Sequence, residues 1–254
     1  MRQPKVWIRA GIVIMYGASI DASYHRHHAI QLVWPKPGRR CMVNSLEITT
    51  PVIIPSNKEH QLQMEEGWIL LVEPSSTLGE ALCDRVVKLS VTMLSDFICS
   101  DSSVQWDSPI NASDDIGSLL TPLFAYFEQP ISSPLINDSR VIDSRIKRLI
   151  NELNQCLGTT CLKPNTWRAS DVAATLALSE SRFLHLFRQE LGVPWRPYLL
   201  WCRMLCAVEA VFNGQSATDA AYMAGFADSA HLSRTFRKTF GMTIRQAKIL
   251  FQTS

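Results

Sequence analysis

Two groups of side chains in this chain have the types and spacing to do chemistry. The first is basic and occurs twice. A rotation of about 100° per residue over 181–191 gathers Ser181, Arg182, His185, Arg188 and Gln189 on one side of a helix, opposite Phe183, Leu186, Phe187 and Leu191. An offset of 49 residues then maps the polar five onto Ala230, His231, Arg234, Arg237 and Lys238, opposite Leu232, Phe236 and Phe240. Neither polar set contains an acid. A helix of this kind suits the major groove of duplex DNA, where arginine can meet a guanine edge with two hydrogen bonds and neighbours on the same face reach phosphates. One such helix could simply be a solvated amphipathic surface; its repetition is what gives it meaning. The second group is His25, His27 and His60, with Gln31 four residues beyond His27. Alternate residues of a strand share a face, so His25 and His27 can point together with His60 arriving from another strand. Three imidazoles could hold Zn, Fe, Mn or Ni. The expected use is different: ring nitrogens acting as hydrogen-bond partners or ligand contacts, with no metal and no other cofactor bound. Tyr24, Trp34 and Trp68 could join His25, His27, Gln31 and His60 around an apolar pocket for a small-molecule effector, or belong to the core, which the sequence alone favours.

The elements that must position these groups differ between the two halves. The chain has 254 residues and a net charge of +2, but residues 1–138 carry 10 Lys and Arg against 15 Asp and Glu, whereas 139–254 carry 15 against 8. An acidic module is joined to one that seeks polyanions. With 46% apolar residues and 19% charged, both can fold around a core, and disorder is excluded. In the first half, apolar runs at 6–16, 29–34, 41–48, 52–54 and 68–72 are broken by Pro35, Pro37, Gly38, Pro51, Pro55 and Gly67, the pattern of a β-sandwich or barrel. Helical spacing follows at 78–99 and 117–127, with a polar loop at 100–113 and a seam at 132–139. The basic half opens on a helix over 140–157 with Val141, Ile142, Ile146, Leu149, Ile150 and Leu153 on one stripe.

The repeat itself is longer than the basic faces. Ser170-Asp-Val-Ala-Ala-Thr-Leu-Ala-Leu178 matches Thr218-Asp-Ala-Ala-Tyr-Met-Ala-Gly-Phe226 at an offset of 48. Each copy reads as two helices and a tight turn, with Ala173 and Ala174, or Ala220 and Ala221, letting the second helix cross closely. Ser216-Ala-Thr-Asp219 has capping-box form, and Arg168 stands at the equivalent place in the first copy. A helix over 198–213 joins the copies, roughly 24 Å of strut for two heads that would sit about one DNA turn (~34 Å) apart.

Seven cysteines without a C-x-x-C pair argue against a disulfide framework; Cys156, Cys161, Cys202 and Cys206 read as small apolar residues. The apolar run 11–20 is about half a membrane span, and no export signal stands at the start. The expectation is a cytoplasmic chain with no membrane partner.

The segment 171–192, the strut beginning Pro197-Tyr198-Leu199 and above all Ala224-Gly-Phe-Ala-Asp-Ser-Ala-His-Leu-Ser-Arg-Thr-Phe-Arg-Lys-Thr-Phe-Gly-Met-Thr243 resemble the double helix-turn-helix domain of AraC/XylS-type transcriptional regulators, over about 110 residues. The resemblance implies base contacts from Ser181, Arg182, His185, Ala230, His231 and Arg234, phosphate contacts from Arg188, Gln189, Arg237 and Lys238, and an activator that works with RNA polymerase. Ile244 and Ala247 stand where the family carries Pro and an aromatic, which predicts different packing of the last helix. Tyr24-His-Arg-His-His28 and Ile54-Pro-Ser-Asn-Lys-Glu-His60 resemble the two motifs of a cupin barrel. The whole then reads as an α+β multidomain protein: a cupin-like β-barrel sensor at 1–75, a helical connector and possible association region at 76–138, and an all-α double helix-turn-helix domain at 139–254. Duplex operator DNA, an effector of unknown identity and a second copy of the chain are the expected partners, and the chain is not expected to be an enzyme. The alternative is a cupin-type metalloenzyme using His25, His27 and His60, weakened because Gln31 stands where metal cupins carry a ligand Glu.

Overall fold

The computed structural model describes residues 5–9, 11–86, 92–93, 142–155 and 167–251. The chain divides into two compact units, Met1–Trp7 with Gly11–Asn137 and Phe240–Ser254, and Ile8–Ala10 with Asp138–Thr239.

In the first unit the strands are β1 (Lys5–Arg9), β2 (Ile12–His25), β3 (Ile30–Pro35), β4 (Cys41–Val43), β5 (Leu46–Glu47), β6 (Val52–Ile54), β7 (His60–Val72) and, after α1 (Thr77–Val86), β8 (Thr92–Met93). The apolar run at 6–16 becomes two strands because Gly11 turns the chain at φ 81°, a conformation open to glycine. The run at 41–48 becomes a tight hairpin with Asn44 and Ser45 both at positive φ, 49° and 68°, as a two-residue turn between twisted strands requires. The order is β1-β2-β7-β3-β6-β8, with β4 paired to β5 and β7. Among the described residues the two ends of this order, β1 and β8, do not pair, so the sheet is open where a closed barrel was expected. Part of the expected helix at 78–99 is also strand, since Thr92 and Met93 pair with Ile53 and Val52. The expected elements at 100–113, 117–127 and 132–139 lie outside the described residues.

Long antiparallel pairing between β2 and β7 is the frame of this unit, from Ile12 opposite Val72 to Ala22 opposite Leu62; the register then shifts, and His25 stands opposite His60. Gly67 lets β3 come close: a Cβ there would lie 2.6 Å from Trp34 O and 2.7 Å from Met64 Sδ. Ile12, Ile14, Tyr16, Leu32, Trp68 and Leu70 form the core with Leu78 and Leu82 of α1.

The helical unit runs α2 (Ser144–Gln155), α3 (Ala169–Thr175), α4 (Glu180–Leu191), α5 (Trp195–Phe212), α6 (Ala217–Met223) and α7 (Ser229–Phe240); α8 (Ile244–Phe251) groups with the first unit. Ile146, Leu149, Ile150 and Leu153 of α2 are buried as their spacing predicts, but Ile142 is 88% exposed because the helix begins two residues after it. The strut is longer than expected: Pro194 supplies the N-cap position and Trp195 starts α5, with Pro197 tolerated in the first turn. Phe183, Phe187, Trp195 and Tyr198 pack ring against ring at centroid distances of 5.1–5.8 Å. One expectation fails here. Cys206 is disulfide-bonded, while Cys41, Cys83 and Cys202 are thiols, so its partner lies outside the described residues. Among the described residues no helix is long and apolar enough to cross a membrane.

Candidate nucleic-acid interface and a buried histidine cluster

Each helix pair of the repeat is set by its caps and its turn. In the first copy, Asp171 and Val172 donate their N–H groups to Arg168 O, with no side chain capping α3. The chain leaves α3 through Ala177 at φ 54°, and Ser179 Oγ accepts the Arg182 N–H at 3.3 Å to start α4. In the second copy Ser216 Oγ accepts the Asp219 N–H at 3.1 Å, Gly225 makes the turn at φ 74°, and Asp228 Oδ1 accepts the His231 N–H at 2.6 Å. Ala177 and Gly225 are 48 apart, Ser179 and Asp228 are 49 apart, so the repeat seen in sequence is a repeat of backbone roles.

The second helix of each pair presents its polar face to solvent. Ser181, Arg182, His185, Arg188 and Gln189 of α4 are all exposed, as are Ala230, His231, Arg234, Arg237 and Lys238 of α7. Phe183, Leu186, Phe187 and Leu191 are buried, as are Leu232 and Phe236, whereas Phe240 is only half-buried. Two further residues support this face. Phe226 meets the His231 ring edge-on at 5.3 Å. Glu190 Oε2 accepts the Ile142 and Asp143 N–H groups at 2.6 and 3.3 Å, turning the one carboxylate late in α4 into a cap for the start of α2. Such a contact between residues 48 apart has no local signal. The last helix is capped by its own residues: Gln246 Oε1 accepts the Thr243 N–H at 2.8 Å, while Thr243 Oγ1 accepts the Gln246 N–H at 3.2 Å. Ile244, Ala247 and Phe251 of α8 are buried.

In the β unit the candidate pocket residues separate. His25, His27, Gln31 and His60 are buried together, while Tyr24 is 61% exposed, because its neighbour in β2 takes the inward side. Trp34 and Trp68 stand opposite each other across β3 and β7 and belong to the core; Trp68 also packs on Tyr16 at 4.9 Å and Trp7 at 5.9 Å. Gln31 and Trp34, three apart in β3, fall on opposite faces of the strand. The register shift between Ala22 and His25 is what lets His25 share a face with His60 despite the change from even to odd number. His27 Nε2 lies 2.9 Å and His60 Nε2 3.1 Å from Gln31 Oε1. Burial, then the charge of His60, holds the His25 ring down at about 4. Burial outweighs the Gln31 hydrogen bond to hold His27 at about 3, and burial lowers His60 as well. All three rings are therefore neutral at neutral pH. Two further buried pairs tie this unit: His28 Nε2 with Glu73 Oε1 at 2.7 Å, and Glu66, which accepts from Tyr16 and from Lys36 Nζ at 2.9 Å.

Residues 172–248 match the family described as helix-turn-helix domain. Over 84 residues the chain is 30% identical to the virulence regulon transcriptional activator VirF of Yersinia enterocolitica and to the thermoregulatory protein LcrF of Yersinia pestis. Those 84 residues are 33% of this chain and 31% of each relative, so the match spans about a third of their length. Over nearly the whole chain the fold is similar to that of ToxT from Vibrio cholerae. For the protein solved with an unsaturated fatty acid bound, the TM-score is 0.53 at 14% identity, covering 99% of this chain and 98% of that one. For ToxT of strain O395 it is 0.51 at 14% identity, covering 97% and 96%. The fold they share is an N-terminal β domain followed by a helical domain. Capped helix pairs, repeated turns and the matched segment together make residues 172–248 a helix-turn-helix domain.

Proposed function

We propose that this chain is a sequence-specific DNA-binding transcriptional regulator, an activator that answers a small-molecule effector taken up by the β domain. The observation that carries the reading is the pair of exposed basic faces on α4 and α7, held at equivalent places by equivalent caps. Ser181, Arg182, His185, Ala230, His231 and Arg234 face base edges; Arg188, Gln189, Arg237 and Lys238 face phosphates, which supply most of the affinity and position the helices without reading sequence. The name of the Yersinia activator supports the direction of regulation, and RNA polymerase is the partner that direction implies. The β domain serves as sensor, as a surface for self-association, or both, in a cupin-like arrangement with limits near 1–75, 76–138 and 139–254. The chain acts in the cytoplasm. Fatty acids are the first effector class to try, since a chain of this fold has been crystallised with one.

Arg234→Ala tests the reading. Once genome-wide mapping has supplied a bound site, the variant loses about 1–3 kcal/mol on that site and relaxes preference at one base pair. Equal loss on cognate and random DNA reduces Arg234 to a phosphate contact, and a wild-type protein with no sequence preference removes the reading altogether.

A further inference from the structure

The two copies share a backbone and differ in one side-chain joint beneath the reading face. Leu178 N–H donates to Ala173 O at 2.9 Å and Phe226 N–H to Ala221 O at 2.8 Å, so both residues leave the first helix of their copy in the same way. The third residue of each reading helix, Arg182 in α4 and His231 in α7, has its N–H held by the capping side chain, Ser179 at 3.3 Å and Asp228 at 2.6 Å. Beyond the backbone the copies part. Phe226 is 7% exposed, and its ring meets the exposed His231 ring at 5.3 Å with the planes 82° apart. Leu178 has no ring to offer, and among the described residues the Arg182 guanidinium has neither a carboxylate nor an aromatic partner. His231 is therefore held at both ends, its N–H by Asp228 and its ring by Phe226.

We propose that Phe226 is a specificity-determining residue that acts by positioning His231. The inference rests on the reading of α7 as a helix that meets base edges. An exposed side chain must be frozen in one rotamer to read a base, and that ordering weakens binding. An imidazole turns about only two bonds, and an edge-on aromatic neighbour favours one of its few orientations by roughly two- to tenfold. A neutral imidazole also carries its donor and its acceptor on different nitrogens. Held in one orientation, the ring presents each of them at a fixed place, and a base edge that does not match is refused. Without Phe226 the ring swings to suit more than one base, so α7 still binds but discriminates less. Phe226 is buried and does not itself reach the groove; its effect passes through His231. Arg182 needs no such support, because its planar fork makes two bonds to guanine and fixes its own plane. That difference accounts for a leucine serving at 178 where a ring serves at 226.

Binding selection from a randomised duplex library, with sequencing of the bound fraction, tests this on the full chain. Wild type, His231→Ala, Phe226→Leu and the double variant are compared at a temperature where circular dichroism shows all four folded. Leucine reproduces the residue of the first copy and keeps an apolar side chain in the core. His231→Ala identifies the base pair concerned. Phe226→Leu is expected to lose about two- to tenfold of the preference at that same base pair. It leaves preferences at the other base pairs as they are and adds nothing in the His231→Ala background. A residue that only supports the core lowers binding to every sequence alike, since a smaller folded fraction cannot re-rank bases. A uniform loss, or an unchanged preference at that base pair, therefore overturns the proposal. Should Phe226→Leu not fold, the DNA-free wild type decides through the NMR signals of its histidine ring protons. The His231 signals, assigned by their absence from His231→Ala, are expected to be displaced by the Phe226 ring current and to report one rotamer, unlike those of exposed His185. A His231 ring averaged like that of His185 overturns the proposal. A wild type with no sequence preference removes the regulator reading and this inference with it, whereas wild-type preferences of which none is lost in His231→Ala overturn this inference alone.

Discussion

The two helix-turn-helix copies reach one backbone arrangement with different side chains at three matched positions. Arg168 and Ser216 precede the first helices, Ala177 and Gly225 make the turns, and Ser179 and Asp228 precede the second helices. At each pair the second copy holds the residue with the stronger local preference: a hydroxyl cap where the first has none, a glycine where the first forces alanine to φ 54°, and a carboxylate at 2.6 Å where the first has a hydroxyl at 3.3 Å. What the first copy lacks locally it gains in tertiary packing, since Phe183, Phe187, Trp195 and Tyr198 stack beneath α4. Local preference and burial are thus interchangeable ways of holding a helix in place.

That comparison can be broken by substitution. The largest effect is expected from Trp195→Ala. Its ring is 1% exposed and touches Phe183 and Phe187, so removing it costs about 3–5 kcal/mol, read as a collapse of the urea midpoint of the helical unit; a loss near 1 kcal/mol would show that the first copy does not depend on packing. Next come the caps. Asp228→Ala costs about 1–2 kcal/mol and Ser179→Ala about half that, both from chemical denaturation, and equal losses would remove the cap asymmetry. At the turns, Gly225→Ala destabilises by about 1 kcal/mol while Ala177→Gly stabilises by a few tenths, because relief of a positive φ is partly offset by the added freedom of the unfolded chain. Opposite signs in paired thermal melts are the test. Smallest is Arg168→Ser, which supplies the missing cap on α3 and adds about 0.5 kcal/mol; no gain would mean that the Arg168 carbonyl bonds already meet the need.

Both polar faces were readable because a helix turns by a constant angle, so spacing alone places Arg188 and Arg234 opposite Phe187 and Phe236. The cap at Ser216 was similarly local. By contrast, the exposure of Ile142 depended on where α2 begins, and the strand at Thr92–Met93 on a pairing with β6, neither of which a helical stripe reports. The candidate pocket failed to hold together for the same reason. Tyr24, Trp34 and the histidines are neighbours in sequence but face different ways, since a strand turns its side chains over at every step.

By itself, then, the sequence determined the helical half: the repeat, its turns, the buried and exposed faces, and the chemistry those faces carry, all properties of contacts within a few residues. Only the tertiary structure decided the β half. A register shift between Ala22 and His25 brings His25 opposite His60, and β3 delivers Gln31 to both His27 and His60. One residue of slip in a strand reverses every side chain beyond it, so whether three histidines scatter or converge is set by pairings between segments far apart in the chain.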